Sequence, residues 1–358
     1  MICRLVTVGF FFTFVSLHLS AYSQNTSIFP WKEISPGGET LCARGEKFSF
    51  FVNEGSSDKI IIDFIGGGAC WNDMTCNKSN PTFIDSVDYL RKKAEAGLEG
   101  LYDHSDSRNP LKDYTHVVIP YCTGDIHWGQ KDTVYVDKLN KPYTIHHRGA
   151  INVKAVLRWV KKTYLLPQKI FVTGCSAGAY GSIYWLPKIK ESYPTSIVSQ
   201  LGDSGVGVIT DDFNIQAKNV WNYMHNMPRW VPGIRDKINS NIRLVDFYLA
   251  IGEYYPNTRL SQFTTADDEV QKFFYELMGG EPEEWSKTTK YQLDTISNNS
   301  NNFSYYHTKG VEHCILPYDR MATTKQNNIS FVNWLDAFVK DVAVDNVDCS
   351  DCISVKEN

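Results

Sequence analysis

The chain has 358 residues, 42% of them hydrophobic and 21% charged, with a formal net charge of -4. That composition is ordinary for a folded protein and excludes extended disorder. The acidic balance, without a concentrated basic face, argues against nucleic-acid binding, because neutralising phosphates needs clustered cations.

The N-terminus reads as an export signal. After Arg4, residues 5–19 form a nearly uncharged apolar stretch, and Ala21-Tyr22-Ser23 then offers a small-x-small cleavage pattern. Cleavage near Ser23 is expected, leaving residues 24–358 as a single catalytic domain. The apolar stretch is shorter than the roughly 20 residues a spanning helix needs, and no second run of membrane length follows. A secreted monomer, with no membrane attachment after cleavage, is therefore the expectation.

The elements alternate along the chain. "KFSFFVN" (47–53) and "KIIIDFI" (59–65) are β-rich runs separated by "EGSSD", which reads as a hairpin or as neighbouring strands. "THVVIP" (115–120) is a third strand of buried type. Residues 151–164 carry Val153, Val156, Leu157, Val160 and Tyr164 at near-helical spacing, closed by Pro167. The strand 169–173 comes next, then an apolar stretch at 177–186, the strand-like "SIVSQLGDSG" (196–205) and a Trp- and Met-containing segment at 221–231. "RLSQFTT" (259–265) and "FSYYHT" (303–308) are late strands. In the last segment Phe331, Trp334, Leu335, Phe338 and Val339 share a helical face, with Ser330 as its expected cap. Alternation of this kind predicts an α/β fold, a mostly parallel sheet with helices on both faces.

Within that frame, "VTGCSAGAYGS" (172–182) places Ser176 between Gly174 and Gly178, directly after a strand and before a helical run. In such a corner the serine takes strained backbone angles at the tip, and the glycines let strand and helix close up without a Cβ clash. A lone hydroxyl is a weak nucleophile, so a base and an orienting acid are expected downstream. His313, a few residues beyond the last strand run, stands where the base belongs. His307 falls inside that run and is expected to be held by the sheet. For the acid, Asp267 and Asp268 follow the penultimate strand, and spacing does not choose between them. Gly66-Gly67-Gly68, after a buried strand, would turn backbone N–H groups toward a developing oxyanion, with the N–H of Ala177 as a further donor. The absence of a following Gly-Lys-Ser/Thr argues against a phosphate loop.

Nine cysteines are present, eight of them beyond the expected signal. An exported chain with eight thiols points to disulfides, of which about 105 full pairings exist. Cys349/Cys352 alone does not make a zinc site, and no metal is expected. Cys175 and Cys314 adjoin Ser176 and His313, so they either pair or both stay free at the site, leaving Cys349 to pair with Cys352. Asn25, Asn77, Asn298, Asn302 and Asn328 head N-glycosylation triplets.

Taken together, "GGGACW", "PYCTGD", "GCSAGAYGS", "GDSG", "TTADDEVQ" and "EHC", in that order over residues 30–345, resemble the pectin acetylesterase family, which includes the Notum carboxylesterases. The resemblance implies an α/β-hydrolase-like fold and a Ser-His-Asp carboxylesterase needing no cofactor. It implies Ser176 as nucleophile, His313 as base and Asp268 as acid, the last because Gln271 follows three positions on. It also implies Gly67, Gly68 and Ala177 as oxyanion-hole amides, and the disulfides Cys70–Cys76 and Cys42–Cys122. Trp71 departs from the family pattern by following Cys70 where the usual order is the reverse, so a different pocket wall is expected. The expected substrate is an acetylated polysaccharide. The alternatives are a lipidated protein or another ester, or binding of glycan without catalysis.

Overall fold

The computed structural model describes residues 31–349 and Cys352. The export signal and the Asn25 triplet lie outside the described residues.

The strands are β1 (Lys32–Ile34), β2 (Phe50–Asn53), β3 (Ser56–Phe64), β4 (Tyr114–Ile119), β5 (Lys131–Val136), β6 (Pro142–His147), β7 (Lys169–Cys175), β8 (Ile197–Asp203), β9 (Arg259–Thr265), β10 (Phe303–Thr308), β11 (Lys325–Gln326) and β12 (Ile329–Ser330). Between them run α1 (Asp73–Cys76), α2 (Asp88–Ala96), α3 (Gly149–Thr163), α4 (Ala177–Ser192), α5 (Asp211–Trp221), α6 (Pro232–Arg235), α7 (Leu244–Tyr254), α8 (Glu269–Leu277), α9 (Pro282–Asn299), α10 (Arg320–Thr323) and α11 (Phe331–Val339). Eight strands form one sheet in the order β1-β2-β4-β3-β7-β8-β9-β10, parallel from β4 to β10. This is an α/β-hydrolase-like architecture.

The central strands are apolar on both sides, as burial beneath two helical layers requires. In β3, Ile60, Ile62 and Phe64 join the core shared with Val153, Val156 and Val160 of α3 and Ile183 and Leu186 of α4. Ile61 faces the other way, into a second core with Phe171, Leu201, Phe263 and the buried face of α11. That face is Phe331, Trp334, Leu335, Phe338 and Val339, all buried.

Two expectations are corrected. The runs at 47–53 and 59–65 neither pair as a hairpin nor lie as neighbouring strands: β4 lies between them, antiparallel to β2 and parallel to β3. A strand buried on both faces has two edges to satisfy, and β3 satisfies its own with β4 and β7. Ser330 stands at the start of α11 but its hydroxyl makes no capping bond. Residues 131–147 form the β5–β6 hairpin, an element for which the sequence pattern offers no clear strand period. Of the glycosylation triplets, Asn302 is committed to structure, its Nδ2 donating to the carbonyls of Gly252, Tyr255 and Thr258. Asn298 and Asn328 are exposed.

Disulfides join Cys42 to Cys122, Cys70 to Cys76, Cys175 to Cys314 and Cys349 to Cys352. No helix among the described residues is long and apolar enough to cross a membrane.

Candidate active site

Four parallel strands, β3, β7, β9 and β10, end on the same edge of the sheet, and each delivers one part of the site beyond its C-terminal residue. Open α/β sheets gather ligands at that edge.

β7 delivers Ser176. It follows Cys175 and precedes α4 with φ 57° and ψ -124°, a left-handed conformation costly for a residue with a side chain. The corner closes tightly because Gly178 lies against the Phe64 carbonyl at the end of β3, where a Cβ would collide. Gly66 is equally constrained, a Cβ there falling 2.8 Å from that of Ser176. The triglycine turn is thus held directly beside the serine. Gly67, Gly68 and Ala177 donate no hydrogen bond to backbone carbonyls of the turns and loops among the described residues, and Ala177 opens α4, whose dipole favours negative charge there.

β9 delivers Asp268 and β10 delivers His313. The imidazole Nδ1 lies 2.9 Å from both carboxylate oxygens of Asp268. Asp268 is wholly buried, whereas the His313 side chain keeps 18% exposure. The carboxylate also caps α8, with Oδ1 accepting the N–H groups of Val270 (3.1 Å) and Gln271 (2.9 Å). Gln271 Nε2 donates to Oδ2 at 2.9 Å. An oxygen pair surrounded by donors acts as acceptor, so Nδ1 carries the ring proton and Nε2 holds the free lone pair. Nε2 is buried without a partner among the described residues, and it makes no hydrogen bond to the Ser176 hydroxyl. Asp267 faces outward, paired with Lys272 at 2.8 Å. His307 is held in the sheet, its Nδ1 2.9 Å from Asp348.

Ser176 and His313 both line a cavity of about 690 Å³ that runs beneath α2 and α8. Its wall is largely apolar, with Phe51, Ile65, Ile84, Leu90, Leu98, Val118 and Phe274 among the contributors, and Lys93 and Glu99 among the charged side chains on it. Trp71 is not part of this wall; it is buried edge-on against Phe213.

Sequence reasoning passed over His127. It is buried, and its Nε2 lies 2.8 Å from the carbonyl of Ile65, the residue before the triglycine turn. Burial lowers its pKa to about 4, so the ring stays neutral and Nε2–H donates to that carbonyl. Asp125 anchors the same segment, accepting from the Thr123 hydroxyl (2.6 Å) and the Gly149 N–H (2.7 Å). The "PYCTGD" string ends at Asp125 and stops two residues short of His127, and nothing in it announces the contact 62 residues away.

Among the described residues two clusters bring metal-ligand types together, Cys70/Cys76/His147 and Cys175/His313/Cys314. In both the sulfurs are bonded to each other and offer no thiolate.

A family model described as pectinacetylesterase matches residues 34–237. That stretch includes the triglycine turn and Ser176 and ends before Asp268 and His313. Pectin acetylesterase 11 of Arabidopsis thaliana is 25% identical over 171 residues, 46% of this chain and 42% of its own. The palmitoleoyl-protein carboxylesterase NOTUM of Schmidtea mediterranea is 24% identical over 177 residues, 48% of this chain and 32% of its own. The aligned stretch therefore spans less than half the length of either relative. Among solved structures, the Wnt deacylase Notum from Drosophila superposes with a TM-score of 0.66 at 17% identity, covering 90% of this chain and 97% of that one. This last likeness is one of fold. With more than half of its residues inside the family model, the chain belongs to the pectinacetylesterase family.

Proposed function

We propose that this chain is a carboxylic ester hydrolase with Ser176 as nucleophile, His313 as general base and Asp268 as its orienting acid. The observation that supports it most is the buried Asp268–His313 pair opening onto the same cavity as a serine in strained conformation. With Nδ1–H donated to Asp268, Nε2 accepts the Ser176 proton as Oγ attacks the ester carbonyl. The N–H groups of Gly67, Gly68 and Ala177 receive the oxyanion. Nε2–H then protonates the departing alcohol, and a water activated by the same nitrogen releases the acid. No step requires a metal or organic cofactor.

The cavity supports a finer reading. Sequence alone favours O-acetyl groups of a polysaccharide, a two-carbon acyl group. A cavity of about 690 Å³ is in the range that encloses much larger ligands, about 300–1,000 Å³. Its apolar wall therefore favours a medium or long acyl chain over acetyl, on a lipidated protein, a glycan or another alcohol. The four disulfides support export to an oxidising compartment.

The test is Ser176→Ala. It should lose at least about 10³-fold in turnover of p-nitrophenyl octanoate and all labelling by a fluorophosphonate probe, with its unfolding midpoint unchanged. Hydrolysis at the parental rate would refute the assignment.

A further inference from the structure

The motif "GDSG" plays no part in the proposed chemistry, yet its aspartate is buried between the two halves of the site. Asp203 ends β8, the strand between β7 and β9, with no exposed surface. Its carbonyl accepts the N–H of Ser176 at 2.7 Å. Its carboxylate accepts the N–H of Ile315 at 2.9 and 3.1 Å and that of Leu316 at 2.9 Å. The hydroxyl of Ser204 accepts the N–H of Cys314 at 2.9 Å. Two consecutive residues thus hold three consecutive amides that follow His313, while the preceding strand end holds the nucleophile's own amide.

The opposite face of this loop is gripped as well. Arg320 donates to the carbonyl of His313 at 2.6 Å and, through Nε, to that of Cys314 at 2.9 Å. Cys314 has φ 59° and Ser204 has φ 54°, conformations that persist only where the surroundings impose them. The Cys175–Cys314 disulfide closes the ring from Ser176 to His313.

Resting on the esterase reading above, we propose that Asp203 is a positioning residue, coupling the backbone of Ser176 to the His313 loop and so setting the approach of Oγ to Nε2. Among the described residues no basic side chain forms an ion pair with it, and burial pushes its carboxyl up to about 6. A buried carboxylate without a cation is costly. Charge-assisted bonds to aligned amides offset that cost and fix the loop in one register. Charged and titratable groups around it include His313, Arg320 and Tyr102; none of these takes the N–H groups that it holds, and Arg320 grips the Cys314–Ile315 amide from its carbonyl side.

The experiment compares the full chain with Asp203→Asn and Ser204→Ala. The end point of fluorophosphonate labelling counts folded, reactive sites, and the labelling rate reads their alignment. In Asp203→Asn the carboxamide turns an NH₂ toward amide donors, so kcat per labelled site and the labelling rate should fall about 10²-fold, with KM within about threefold. Ser204→Ala should show the same split at about tenfold. A purely structural role would lower the end point and leave both rates per site unchanged, and that result overturns the proposal. If Asp203→Asn does not fold, Ser204→Ala decides alone: parental kcat and labelling rate would sink the coupling. A parental chain that neither labels at Ser176 nor hydrolyses esters would instead refute the esterase reading itself.

Discussion

Acyl-chain length is the perturbation that separates a long-chain pocket from an acetyl pocket. Going from an acetyl to an octanoyl ester adds six methylenes, each removing up to about 0.8 kcal/mol of apolar exposure, close to 5 kcal/mol in total as an upper bound. The cavity opens to solvent beside exposed Val270 and Phe273 of α8, so about half of that should be realised in the transition state. Specificity should therefore rise roughly 50–100-fold in kcat/KM along the series. The assay is hydrolysis of p-nitrophenyl esters from two to twelve carbons, each below its micellar concentration. A bulky side chain on α2 sharpens it: Ala94 lines the cavity, and Ala94→Trp should move the optimum to shorter chains while leaving acetyl turnover within about twofold of the parent. An optimum at acetyl, declining from butanoyl onward, would refute the reading of the cavity.

Replacing Asp268 by Asn should cost about 10⁴-fold in kcat by favouring the wrong histidine tautomer; Asp268→Ala should in addition lower stability by about 1 kcal/mol through the lost cap of α8, read by urea titration. Converting both Cys175 and Cys314 to Ser opens a connection of 139 residues and should lower stability by roughly 2–5 kcal/mol; an unchanged midpoint would show that the strand-end hydrogen bonds suffice. Asp125 and Asp203 are both pushed up to about 6 by burial. Between the unfolded value of 3.8 and about 6 the native state therefore holds protons the unfolded chain has released, and stability falls as pH rises through that window, by up to about 3 kcal/mol per group. Urea midpoints from pH 4 to 7 should show this slope, and Asp125→Asn should flatten it.

The parallel core was legible because each central strand is a short run rich in β-branched, aromatic and aliphatic residues, bounded by turn residues, whose character does not depend on its neighbours: 169–173, 259–265 and 303–308 stand where the sequence places them. Pairing was less legible. A short connection between 53 and 59 argues for a hairpin, but the partner that takes the facing edge of β3 arrives 50 residues later, and no local feature of "KIIIDFI" announces it. The β5–β6 hairpin did leave a signal, buried Thr133 and Tyr135 alternating with exposed Val134 and Val136, with Asn140 at φ 59° in the turn. Its exposed valines blurred the apolar pattern.

The site divides along the same line. The corner at Ser176 was readable because the glycines that permit it, Gly174 and Gly178, lie within two positions of it, although Phe64 and Gly66 close it from the neighbouring strand. Choosing between Asp267 and Asp268 needed the register of α8, which begins so that Asp268 stands at the cap and turns its carboxylate inward, leaving Asp267 to Lys272. Asp followed at the third position by Gln is itself a helix-start pattern, so that distinction was written locally, although in a form equally compatible with a plain cap. His127 had no such mark, and Asp203 stood in "GDSG" with nothing to say what it holds. Each acts on backbone more than 60 residues away in sequence, His127 on Ile65 and Asp203 on Ile315. A side chain whose partner is a carbonyl or an amide leaves no complementary residue type to find. The role proposed for Asp203 is therefore not written in its string even where the string is noticed, and the predicted kcat loss in Asp203→Asn is where that physical difference becomes measurable.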